Sequence, residues 1–158
     1  MNIFYLSEDA KVAATYHNDK HVVKMILESA QLLCTAHRLL DDSTNEKLYK
    51  ATHKNHPSAQ WVRLSLHNYN WLYDLFCNLC DEYTFRYGKV HLTDTKLREL
   101  LKQPPNNIPN TPFTQPPQAM PEQYRTSDSI LSYRNYYKFE KNHLAAWSKR
   151  SIPDWYKD

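Results

Sequence analysis

Glycine is nearly missing from this chain: Gly88 is the only one in 158 residues. A phosphate-cradling glycine loop or a dinucleotide-binding turn needs several glycines at fixed spacing, so both classes are excluded. Cysteine is scarce and odd in number, at three, and no disulfide framework can be drawn. Cys77 and Cys80 stand at CxxC spacing. They lie within Leu75-Phe76-Cys77-Asn78-Leu79-Cys80, a helix face, and read as buried free thiols in a reducing interior. No apolar run is long enough to span a membrane, and the opening Met1-Asn2-Ile3-Phe4-Tyr5-Leu6 lacks the basic leader of a signal peptide. The expectation is a soluble, monomeric protein of the cytoplasm (host cytoplasm if phage-encoded) with no membrane partner. Neither sign of charge dominates. The net charge is +3 and the pI about 8.7, which allows a nucleic-acid partner without demanding one.

What the chain has in quantity is aromatic side chains, with twelve Tyr and four Trp. These suit wet interfaces and base stacking as well as cores. The length fits one domain, 1–158. Ser7 reads as an N-cap followed by the acids Glu8 and Asp9. It opens a first helix over about residues 8–40, with room for a break near Asn18-Asp19, closed by the polar turn 41–45. Pro57 suits the first position of a second helix running to about residue 87, and Gly88 its C-terminal stop. A short amphipathic helix is predicted over 93–102. Residues 103–124 hold seven prolines, so an extended segment wrapping the body is expected there. A last long helix is predicted from Ser127-Asp128 to about Lys149, followed by the aromatic pair Trp155-Tyr156. The predicted fold is all-α: a compact single domain of three main helices with a Pro-rich wrapping segment.

The first helix carries the main chemical clue. At helical pitch His17, His21, Lys24, Glu28, Gln31, Thr35 and Arg38 form one stripe, while the rest of the helix is largely apolar. A mostly buried helix that keeps a titratable stripe needs something polar for it to face. One reading is an active-site wall, with His21 or Glu28 transferring protons and Lys24 and Arg38 holding an anion. The plainer reading is an internal polar network, with Lys24 and Glu28 paired at i, i+4. His17 and His21 also have the i, i+4 spacing of metal ligands, which His53 and His56 with Asp19 or Glu28 would complete, but no known metal signature accompanies them.

Other basic clusters are phosphate candidates. Lys50, His53, Lys54 and His56 precede a helix N-terminus, where free N–H groups favour an anion. Arg63 lies on the same helix. Arg86, Lys89 and His91 gather after the second helix, either for phosphate or as helix C-terminal charges. Arg134, Lys138 and Lys141 share a face of the terminal helix with Tyr133, Tyr136 and Tyr137 around them, the interleaving a nucleic-acid surface uses. A solvated charged face above a Tyr-rich core explains the same pattern.

Taken together, these pieces resemble a known family. The opening Met1–Leu6, the long helix with Lys20-His21 and Lys24, the Lys54-Asn55-His56-Pro57 helix start with Arg63, and the terminal Tyr133-Arg134-Asn135-Tyr136-Tyr137 with Pro153-Asp154-Trp155-Tyr156 occur in an order similar to the pyrimidine-dimer DNA glycosylases, the endonuclease V-like repair lyases of phages and bacteria. The resemblance implies a small helical protein that flips a base from duplex DNA. The N-terminal amine would attack the sugar C1′ and a first-helix Glu would support it, with no cofactor and no metal. It aligns Lys20, His21 and Lys24 with a basic residue, the catalytic Glu and a second basic residue. His21 then stands where the carboxylate is expected, and Glu28, two turns further along, is the candidate to replace it. Asn2 disfavours removal of Met1, and an α-amine titrates at roughly 8 when unperturbed, within reach of Schiff-base chemistry.

The expected function is therefore a DNA glycosylase/AP lyase acting on a flipped nucleotide in damaged or modified duplex DNA. Met1, His21, Glu28 and Lys24 are the catalytic candidates. His17, Lys20, Arg38, Lys54, His56, Arg63, Arg86, Lys89, Arg134, Tyr137 and Lys138 are the phosphate and nucleic-acid candidates. Two alternatives remain: a non-catalytic nucleotide- or nucleic-acid-binding protein on the same fold, and a His-dependent metalloenzyme acting on a phosphate ester.

Overall fold

The periodicity of residues 8–40 produces two helices rather than one. The computed structural model describes residues 1–157, and among them it places α1 at Ala10–Tyr16 and α2 at Asp19–Leu40. The chain turns at His17 and Asn18, which both take extended backbone conformations, and the Asn18 side chain caps α2 by accepting from His21 N–H. Asp9, not Ser7, is the N-cap of α1, accepting from Lys11 and Val12 N–H. Ser7 instead accepts from the Asp9 N–H through its hydroxyl.

The second predicted helix is also divided, into α3 (Pro57–Leu64) and α4 (Leu66–Tyr87). Ser65 breaks it with an extended backbone (φ −151°, ψ 135°) and caps α4 through its hydroxyl. Gly88 ends α4 at φ 69°, a left-handed conformation that glycine adopts without steric cost. A fifth helix, α5 (Leu92–Leu101), follows.

The Pro-rich stretch does wrap the body. Leu66 N–H donates to Pro109 O, Trp61 Nε1 to Thr114 O, Asn68 Nδ2 to Thr114 Oγ1, and Ser129 Oγ to Pro116 O. These bonds answer polar groups that a proline-rich chain cannot satisfy within itself. The last long helix is shorter than predicted. α6 covers Ser129–Phe139, and the chain then runs irregularly to a final turn, α7 (Asp154–Lys157).

The amphipathic faces of α1 and α2 meet α4, making the centre of the molecule. Among the described residues the architecture is all-helical, with seven α-helices and two short 3₁₀ turns and no strand. No helix of the described residues is long and apolar enough to cross a membrane. The N-terminal arm supplies an unexpected share of the core. Ile3, Phe4, Tyr5 and Leu6 are all buried although they form no regular element. Full burial of side chains of this size contributes about 1.5–3 kcal/mol each. The arm is thus held in place, and its first residue with it.

Candidate active site

The fixed arm brings the chain's first amine to α2. Met1 N lies 3.8 Å from Glu28 Oε1, and both side chains are largely buried, at 5% and 14% exposure. Lys24, one turn earlier, approaches the other carboxylate oxygen at 3.7 Å while remaining 68% exposed. The Asn2 side-chain amide, oriented so that its nitrogen faces acceptors, donates to Ala119 O at 3.0 Å and ties the arm to the Pro-rich segment.

His56 completes this group. Its Nδ1 accepts from Ser58 N–H at 3.0 Å as the N-cap of α3. With Nδ1 occupied as an acceptor, the neutral ring carries its proton on Nε2 and offers a donor. Partial burial lowers the His56 pKa, the N-terminal amine and His53 lower it further, and Glu28 opposes them. Amine, carboxylate and imidazole therefore share one electrostatic neighbourhood. Beside them opens a cleft of about 620 Å³ lined by His56, Pro57, Gln118, Ala119, Arg125 and Thr126. The cleft itself offers the His56 imidazole and the Arg125 guanidinium, while the amine and the carboxylate lie in the same electrostatic neighbourhood as His56.

The rest of the stripe faces inward. His21 is buried and stacks on Phe4 with ring centroids 4.3 Å apart, and its Nδ1 lies 2.6 Å from Tyr137 Oη. Burial pushes its pKa down to about 3, helped by the nearby His17, Lys141, Lys24 and His143. His17 is fully buried, its Nδ1 2.6 Å from Ala13 O, and its pKa is lowered by burial to about 4. Both side chains are thus enclosed in the core, where the sequence reading looks for a proton-transfer group and a phosphate contact. The four histidines offered as a metal shell fare no better, since among the described residues no group of three or more His, Cys, Asp or Glu side chains is placed to hold a metal.

Four further candidates are engaged in the same way: the cationic or phenolic group already has partners inside the protein. Arg38 donates to four carbonyls, those of Ser43, Asn45, Leu48 and Tyr49, and pins the 43–49 loop. Arg86 is buried, bonded to Glu82, Asp19 and the carbonyls of His17 and Thr15. Arg134 donates to Leu6 O and lies over the rings of Tyr16 and Trp155. Tyr137 is buried against His21. Arg63 is half-buried, with Nη1 enclosed and meeting no acceptor. Lys138 is half-buried over the Phe139 ring.

Lys54 is exposed just ahead of α3. Lys20 and Lys89 are exposed on a second cleft, which Lys24 also lines. The candidate site thus draws on Met1, Lys24, Glu28, Lys54 and His56 from the sequence reading, and adds Arg125. Arg125 escaped notice because it follows the Pro-rich segment with no periodic pattern around it. Comparisons of the chain with protein-family models, curated proteins and solved structures return no match.

Proposed function

We propose that this protein is a DNA glycosylase/AP lyase whose nucleophile is the amine of Met1 and whose essential carboxylate is Glu28. The observation that carries the reading is their 3.8 Å approach in a largely buried setting, with His56, which lines the neighbouring cleft, in the same electrostatic environment. Glu28 draws a proton from the amine, freeing its lone pair. The amine nitrogen bonds to C1′ of an extruded nucleotide and the base departs with the glycosidic electron pair. Opening of the sugar ring leaves an iminium ion, which the Glu28 carboxylate stabilises. Loss of a C2′ proton then expels the 3′ phosphate, and hydrolysis of the imine returns the amine. Lys24, Lys54, His56 and Arg125 hold the flanking phosphates. Extrusion costs a few kcal/mol, least at a damaged or unpaired position.

The test is borohydride trapping on duplexes carrying an abasic site or a pyrimidine dimer, with peptide mapping of the adduct. The expected result is one DNA strand linked to the α-nitrogen of Met1, and intact mass identifies the residue that carries the free amine. Glu28→Gln should lower the rate by roughly 10²–10⁴-fold, the usual weight of a proton-transfer group. Absence of an adduct on both substrates, or an adduct on a lysine, overturns the reading.

A further inference from the structure

A second cleft lies elsewhere, between the first turns of α2, the C-terminal end of α4 and the 143–146 segment, with a volume of about 740 Å³. That is within the range of roughly 300–1,000 Å³ typical of small-molecule sites. One wall is aromatic. The Tyr83 and Tyr87 rings lie 5.2 Å apart, and Tyr87 is 41% exposed. The facing surface is apolar, from Val23 and Leu144 to Ala145 and Ala146. Lys20, Lys24, Lys89 and His143 also line the cleft. Asp19 is the one carboxylate among the lining residues. It is held by Arg86 Nη1 at 3.0 Å, Ser148 N–H at 2.9 Å and Ser148 Oγ at 2.6 Å, so its charge is answered from behind.

An apolar slot with one aromatic wall and a cationic rim suits a flat aromatic ligand bearing a negative charge. Base–aromatic stacking accepts any base, and lysines hold phosphate as point charges. We infer that this cleft is a nucleotide-binding site, with the base against Tyr83 and Tyr87 and the phosphate on Lys20 and Lys89. Lys24 lines the cleft and also reaches Glu28, so the cleft lies along α2 from the candidate active site. The placement of the cleft on bound DNA rests on the lyase reading, whereas its ligand chemistry does not.

The experiment is a titration of isotope-labelled protein with thymidine 5′-monophosphate, followed by amide chemical shifts. Shifts are expected at Tyr83, Tyr87, Lys89 and Ala145, with weaker binding of thymidine and of inorganic phosphate alone. Tyr87→Ala and Ala145→Trp, the second filling the slot, should each weaken binding at least roughly tenfold. Shifts confined to other surfaces overturn the inference, as does unchanged affinity in an Ala145→Trp protein with an otherwise native spectrum.

Competition by a duplex with one unpaired nucleotide, but not by a fully paired duplex, identifies DNA as the source of the ligand. Without such competition the ligand is a free nucleotide, and the site stands in both cases. Glu28→Gln separates the two proposals, because it should slow trapping by roughly 10²–10⁴-fold and leave the titration intact. Trapping without cleft shifts removes this inference alone, and cleft shifts without trapping remove only the lyase reading.

Discussion

His21 Nδ1 stands 2.6 Å from the phenolic oxygen of Tyr137, a bond that joins α2 to α6 inside the core. Removing that hydroxyl strands a buried ring nitrogen, which costs about 1–3 kcal/mol. Tyr137→Phe should therefore lower the unfolding free energy by that amount, read as a lower denaturant midpoint at an unchanged slope. If His21 and Tyr137 serve structure alone, the borohydride-trapping rate per folded molecule should stay within about twofold of the parent. A loss of trapping without a loss of stability would return His21 to the catalytic group.

The same pair of buried histidines fixes a pH dependence. His17 and His21 are held neutral by burial, with pKa values near 4 and 3, against about 6.5 in an unfolded chain. Below 6.5 the unfolded state binds protons that the folded state refuses, so stability is complete above pH 6.5 and falls as the pH drops toward the folded values. Between pH 6.5 and 5 the loss is about 2 kcal/mol for each histidine. Chemical unfolding at pH 7, 6 and 5 reads this directly. His17→Gln should flatten the slope, and a midpoint that does not move between pH 7 and 5 would contradict the burial argument.

Arg86, Glu82 and Asp19 form a buried charge cluster that fastens three separate parts of the chain. Arg86 bonds Glu82 Oε2 at 2.8 Å and Asp19 Oδ1 at 3.0 Å, and Arg150 reaches Glu82 through Nε at 3.1 Å. Breaking such a pair leaves the partner's charge buried and unanswered. Arg86→Met should cost about 3–5 kcal/mol. Arg150 is exposed, and its truncation should cost less than about 1 kcal/mol. Limited proteolysis supplies a second readout, since the 147–157 segment is tied to Asp19 and Glu82 and should be released first in Arg86→Met.

Helix identity was legible from local signals, and helix extent was not. Pro57, Gly88 and the apolar rows of α2 and α4 announce themselves within a few residues. The break at Ser65 depends on Pro109 and Thr111, more than forty positions away, which accept from Leu66 N–H and from Ser65 Oγ. The early end of α6 has a similar origin. The residues expected to continue it are held elsewhere, with Ala146 O accepting from Asp19 N–H and Trp147 Nε1 donating to Tyr16 O.

At the candidate site, spacing placed Lys24 and Glu28 side by side correctly. It could not say which end of the stripe met solvent, because that depends on how the Ile3–Leu6 arm is threaded. The arm seals His17 and His21 beneath Phe4 and delivers Met1 to Glu28. The internal partners of the arginines were hidden for a related reason. A guanidinium's five donors satisfy buried carbonyls as well as phosphates, and sequence does not distinguish the two uses.

That distinction yields the last prediction. Arg38 spends its donors on four carbonyls of the 43–49 region, whereas Lys54 is exposed just ahead of α3, two residues before His56, which lines the proposed DNA cleft. A phosphate-contacting cation contributes about 0.9 to the slope of log K against log salt on duplex DNA. Lys54→Ala should therefore weaken DNA binding at low salt and reduce that slope by about one, with little change in stability. Arg38→Ala should do the reverse, lowering stability by at least about 2 kcal/mol through lost charged hydrogen bonds while leaving the slope unchanged. Binding measured by anisotropy from 50 to 200 mM salt separates the two. A slope reduced by Arg38→Ala and not by Lys54→Ala would place the phosphate path along the 43–49 loop instead of the start of α3.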